Sequence, residues 1–208
     1  TETESSQKNK DGKSVILYTT DLVSQDGYIK AATDKGYKVI RFETIVDSAF
    51  VNNMEMKWSD IQFTRVDADI VDNLIDKVEN NESVLSETEK ETLKELFTLE
   101  VPGLNVTVDI KGLSPQSAPV VATRPEFMRR MKEMAAMGGG MGFYGNMPDN
   151  YKVVINANHK LISRILQDEN EQEQSQVARQ AFDLALLSQG LLTGAELTEF
   201  VNRSVNLI

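Results

Sequence analysis

The sequence predicts an α+β protein in two parts. A small α/β/α subdomain comes first, and an α+β domain follows, with a small antiparallel sheet and a terminal helical hairpin. Three observations carry this. Short apolar runs alternate with helically spaced apolar residues from Ser14 to Asp67, in the order strand, helix, strand, helix, strand. Beyond an acidic, polar connection the alternation stops, and strand-like and helical segments follow in mixed order. The last two helices carry apolar residues over more of their circumference than one buried stripe needs.

The opening TETESSQKNKDGK is polar and has no apolar periodicity, so residues 1–13 are expected to be a disordered lead. Val15-Ile16-Leu17-Tyr18 reads as a buried strand, and Tyr28, Ile29 and Ala32 lie at helical spacing before Gly36, a helix stop. Val39 to Phe42 is a second strand. Asp47 opens a helix bearing Phe50, Val51 and Met54, and Phe63 to Val66 is the third strand. The subdomain is therefore bounded at 14–68, with 69–208 as the second domain. There, Ser86 and Glu89 form a capping box for a helix over about 86–99. Val106, Val108 and Ile110 alternate with polar residues, and Pro119–Ala122 and Tyr151–Ile155 are further strands.

Composition limits function. Of 208 residues, 40% are hydrophobic, enough for a sizeable core, and 32 acids against 22 bases leave a net charge of −10 that repels a nucleic-acid backbone. Absent cysteines fit a reducing cytoplasm, and no apolar run approaches the length of a membrane span or a signal peptide. The expectation is a cytoplasmic protein with neither nucleic acid nor membrane as partner.

No nucleophile–base pair, carboxylate pair, metal cluster or cofactor loop stands out, so no catalytic residue and no metal are assigned. His159 is the only histidine and is expected at the start of a helix over 160–166. Asp21, after the first strand, and Glu43, after the second, occupy positions where α/β folds place ligand-binding groups. They define an alternative reading as a small ligand-binding or enzyme domain. The run from Gly138 to Gly145 lacks the Lys-Ser/Thr pair of a phosphate loop and follows a helix, so it reads as flexible chain. The acids between Asp168 and Glu173 lack the glycine and ligand spacing of a calcium loop and read as a solvated helix start.

Two helical segments are more informative. On a wheel of about 100° per residue with Phe127 at zero, Met134, Met131 and Met128 fall on one face and Arg129, Arg130 and Lys132 on the other. The methionine stripe is either core or an adaptable binding face. From Val177 to Leu187 the apolar residues cover most of the helix, and Leu197, Phe200, Val201 and Val205 line the last helix. Such a hairpin is satisfied by an identical copy across a twofold axis, giving a four-helix bundle, or by its own domain.

The segments SVILYTTD, GYKVIRFETIVDSAFV, FTRVD, APVVATRPEFMRRMKEM and LLSQGLLTG, in this order, resemble the bacterial heat-shock protein 90 chaperones over Ser14 to Ile208. The resemblance implies the end of a middle domain followed by a C-terminal dimerisation domain, with the ATP- and magnesium-binding domain absent and no cofactor in this part. It implies a homodimer through Phe182, Leu186, Leu197, Phe200 and Val201. It also implies contacts to unfolded client proteins from Phe127, Met128, Met131 and Met134, joined by Phe50 or Met54. A tryptophan expected on the helix of Phe50 is replaced near Ala49-Phe50, while Trp58 lies beyond. The ending Asn206-Leu207-Ile208 differs from the acidic peptide with which eukaryotic relatives bind tetratricopeptide co-chaperones, so that partner is not expected.

Overall fold

In the computed structural model, residues 7–9, 11–44, 47–69, 82–99, 105–123, 125–136 and 150–206 are described. Contacts divide the chain into two units, Thr1–Glu79 and Asn80–Ile208.

The first unit is built on β1 (Ser14–Thr19), which lies between β2 (Val39–Arg41) and β3 (Ile61–Arg65), parallel to both. A central parallel strand is covered on both faces, which is why its sequence is apolar without interruption. Val15 and Leu17 point to one face, against Ala32 of α1 (Asp26–Asp34), Tyr37 and Val66. Tyr18 points to the other, against Val51 of α2 (Asp47–Lys57) and Phe63, with Ile16 packed alongside. The expected α/β/α layering is therefore present. Gly36, at φ 78°, ends α1 as predicted: its N–H donates to Thr33 O and that of Tyr37 to Ala32 O, a Schellman closure that needs a left-handed residue.

The disordered lead requires correction. Within residues 1–13, Gln7 is buried and acts as a side-chain substitute for a strand. Its Nε2 donates to the carbonyls of Val15 (3.2 Å) and Lys38 (3.3 Å), and its Oε1 accepts from Lys38 N (2.7 Å). Asn9 Oδ1 accepts from the N–H groups of Asp11 and Lys13, which turns the chain into β1. Composition missed this because the segment is held by amide side chains rather than apolar burial. Residues 1–6 and 10 lie outside the described residues.

The second unit has a sheet in the order β4 (Asn105–Lys111), β6 (Asn150–Asn156), β5 (Val120–Thr123). It is mixed rather than antiparallel: β6 runs antiparallel to β5 but parallel to β4, with Val108 beside Val153. Alternation identifies a half-buried strand but carries no direction, and the chain between β4 and β6 is long enough for a parallel crossover. Helix α3 (Glu87–Leu99) starts at the predicted capping box, in which Ser86 N donates to Glu89 Oε2 (2.8 Å) and Glu89 N to Ser86 Oγ (3.3 Å). The remaining helices are α4 (Glu126–Ala136), α5 (Lys160–Gln167), α6 (Glu171–Ser188) and α7 (Gly194–Asn206). One core joins α3, α5, α6 and α7 to the sheet, with Leu93 and Phe97 of α3, Val153 and Ile155 of β6, and Phe182 and Leu186 of α6 among its buried residues.

Candidate functional site

The terminal hairpin is locally specified at both joints. Asn170 Oδ1 accepts from Gln172 N (3.0 Å) and Glu173 N (3.4 Å), capping α6. At its other end Gly190 takes φ 64°, and the N–H groups of Gly190 and Leu191 close onto Leu187 O and Leu186 O.

On a wheel of about 100° per residue centred on Phe182, the other buried side chains of α6, Ala178, Ala181, Asp183, Ala185 and Leu186, all fall within about 100° on either side. Leu187 and Leu184 lie at about 140° and 200° and face outward, 40% and 50% exposed. On α7, Phe200 is buried, whereas Val201 and Val205 are 49% and 66% exposed. The sequence-based interface set is thus split. Phe182, Leu186 and Phe200 are buried in the core of their own unit. Leu197 is half-buried and packs on that core, and Val201 faces solvent. Leu184, Leu187 and Val205 were missed as outward residues. The signal was the small-residue row Ala178, Ala181, Ala185, which marks the side of α6 laid on the sheet and leaves Leu184 and Leu187 opposite.

Between α6 and α7 lies a polar network that the sequence reading also missed. Asp183, 1% exposed, accepts through Oδ2 from Arg179 Nε (3.1 Å) and from Arg203 Nη2. Arg203 Nε donates to Gln180 Oε1 (2.8 Å), Gln180 Nε2 to Ser204 Oγ (2.7 Å), and Ser204 Oγ to Phe200 O (2.7 Å). Arg179 Nε is also 3.1 Å from Asp183 Oδ1, but its N–H is directed to Oδ2, so Oδ1 is buried without a hydrogen bond.

The methionine helix α4 divides as well. Met131 is 8% exposed and Met128 half-buried, so Met131 is core and not a surface contact. The side chains of Phe127 and Met134 lie outside those described. The opposite face is not simply solvated: Arg129 is buried beside Glu126, with Nη2 2.5 Å and Arg130 Nε 2.8 Å from Glu126 Oε1. Burial acts to raise the pKa of Glu126, but the Arg129 hydrogen bond and the charges of Arg129 and Arg130 outweigh it and hold the pKa below its ordinary value. In the first unit Phe50 is half exposed, edge-on to Phe42 and Phe63 at 6.3 Å, and Met54 is half-buried. Met56 and Trp58, at the end of α2, are the more exposed apolar side chains there.

At the alternative site each acid has partners of its own. Asp21 Oδ1 is occupied as a turn cap, accepting from Val23 N (2.9 Å) and Ser24 N (3.2 Å), and its lowered pKa comes first from the Ser24 side chain and then from these backbone donors. Glu43 is exposed and paired with Arg41 at 2.8 Å. The buried polar group nearby, Gln25, accepts from Thr19 Oγ1 (2.6 Å), Thr20 N (3.0 Å) and Asp21 N (3.3 Å) and so fixes the loop. His159 Nδ1 accepts from Leu161 N (3.1 Å) and caps α5, its expected place. Among the described residues no three His, Cys, Asp or Glu side chains gather as a metal site, and no helix is long and apolar enough to cross a membrane. The glycine run 138–145 lies outside the described residues.

No family model matches the chain. Chaperone protein HtpG of Bacteroides thetaiotaomicron is 33% identical over 269 residues, which takes in 97% of this chain and 40% of that protein. The HtpG of Porphyromonas gingivalis W83 is 32% identical, covering 97% of the chain and 39% of the relative, and that of Bacteroides fragilis 638R is 39% identical over 175 residues, 83% and 26%. The first two alignments are longer than the chain's 208 residues because the relatives carry residues it lacks. With this similarity running along nearly its whole length, the chain belongs to the HtpG chaperone family, as the counterpart of some 40% of a relative's length.

Proposed function

We propose that this chain is the end of the middle domain and the C-terminal domain of an ATP-driven chaperone, and that it joins two copies through α6 and α7. The observation that supports this is the pair of apolar ridges on one hairpin, Leu184 with Leu187 and Val201 with Val205, left outward by a core that takes Phe182, Leu186, Leu197 and Phe200 of the same two helices. ATP and its magnesium ion bind, on this reading, in a domain outside the chain, and the working compartment is the cytoplasm. While the two copies are paired, the joint keeps two ATPase arms at high effective concentration, so their closure becomes an intramolecular event.

Magnitude sets the character of the joint. Covering a half-exposed aliphatic side chain contributes about 1 kcal/mol, so four from each copy supply on the order of 8 kcal/mol, comparable with the cost of association. Pairing is therefore reversible and concentration-dependent. Sedimentation of the chain at tens of micromolar should show a dimer, and Val201→Asp with Val205→Asp should give a folded monomer. A wild-type monomer at that concentration sinks the proposal.

Client holding is assigned to the exposed apolar groups of the first unit, Phe50, Met56 and Trp58, together with Met128 of α4. Trp58 thereby supplies a large amphipathic ring although α2 lacks a tryptophan. Replacing Phe50 and Trp58 with Ser should weaken binding of an unfolded protein without altering the dimer, as read by suppression of client aggregation.

A further inference from the structure

Asp183 is the most deeply buried charged side chain among the described residues, and it sits where α6 meets α7. A buried ion pair is a poor source of stability: desolvating both charges offsets their attraction, and apolar residues of similar volume often do as well or better. What such a pair does supply is a preferred geometry, since a misplaced helix leaves a charge buried and unpaired. Here the geometry is tightly determined. Gln180 and Asp183 of α6 hold Arg203 and Ser204 of α7 through three hydrogen bonds, and each helix braces its own end of this network, Arg179 against Asp183 and Ser204 against Phe200 O. The outward ridges are built on the same turns: Leu184 follows Asp183, and Val201 and Val205 flank Arg203 on either side.

We propose that Asp183, through Arg203 and Arg179, is a positioning residue for self-association: it fixes the rotation and register of α7 against α6, and with them the spacing of the two ridges that a second copy must match. This rests on the self-association reading above. The Asp183 network touches no partner itself; its effect is transmitted by the two helices.

The test uses the purified chain and two variants, Asp183→Asn, nearly isosteric, and the double replacement Asp183→Leu with Arg203→Met, which exchanges the pair for apolar volume. Each is measured for thermal stability at a concentration where the chain is monomeric and for dimer dissociation by sedimentation. The double variant is expected to melt at or above the wild-type temperature yet to dimerise at least tenfold more weakly or with mixed stoichiometry, and Asp183→Asn to dimerise at least tenfold more weakly. A purely structural role changes melting and not the dissociation constant. Folded variants that dimerise within twofold of wild type overturn the inference, as does unfolding of both, which would assign the pair to folding. Val201→Asp reports on the self-association reading alone: if wild type dimerises and Val201→Asp does not, that reading stands whatever the Asp183 variants show. A wild-type chain that stays monomeric removes both.

Discussion

Asn156 and Asn158 show how much a few amides can hold. Asn156 is buried, with Oδ1 accepting from Leu113 N (3.1 Å) and Asn158 N (3.1 Å) and Nδ2 donating to Ser114 O (2.8 Å). Asn158 receives Val84 N and donates to Glu82 O and Leu113 O. Asn156→Ala strands three backbone groups and is expected to destabilise the second unit by about 2–3 kcal/mol in a denaturant titration. His159 adds a pH dependence. Burial first, and the charge of Lys160 second, hold its pKa below the ordinary value, and Nδ1 caps α5 only while unprotonated. The folded state favours neutral imidazole, so the stabilisation is complete above about pH 6.5 and is lost as pH falls through the lowered pKa. His159→Asn, which caps without titrating, should flatten the acid limb of urea midpoints measured from about pH 7.5 to 5. The helix-start role of His159 was legible because the sequence gives this one histidine no second ligand or triad partner. The roles of Asn156 and Gln7 were not, since an amide's partners lie far away in sequence.

At the level of elements, periodicity located the strands and helices but not which arc of a helix is covered. The α4 wheel separated methionines from arginines correctly, yet residues of both kinds are buried: Arg129, paired with Glu126, and Met131. Met131→Ser is therefore expected to lower stability by about 1–3 kcal/mol, whereas the same change at half-buried Met128 should cost less than about 1 kcal/mol. Equal effects in chemical denaturation would place both in one environment and contradict the assignment. On α6 the surplus of apolar residues was legible and its division was not. Eight apolar positions from Val177 to Leu187 do not say which are covered; in the structure Ala178, Ala181, Phe182, Ala185 and Leu186 are buried, and Leu184 and Leu187 are not.

For the whole molecule, the parallel first sheet could be read from an unbroken apolar strand followed by helices, while the mixed second sheet could not, because strand direction depends on a crossover. Reversible pairing has a measurable consequence for the second unit: association stabilises only the folded form, so its melting temperature should rise with protein concentration. In calorimetry, the transition of the Val201→Asp, Val205→Asp variant should not move over the same range. A melting temperature independent of concentration in the wild type would contradict pairing through α6 and α7.

The bond from Asn158 to the carbonyl of Glu82 spans 76 positions, and β4 finds its parallel neighbour only when β6 exists. During synthesis the first unit completes its sheet at Arg65, but α3 and β4 emerge without β6 or α6, the elements that cover them. Loop-closure entropy must be met before those distant contacts form, so the second unit is the slow folder. A chain of a chaperone family thus passes through a stage in which its own core, Leu93, Phe97 and Val108 included, is open to water.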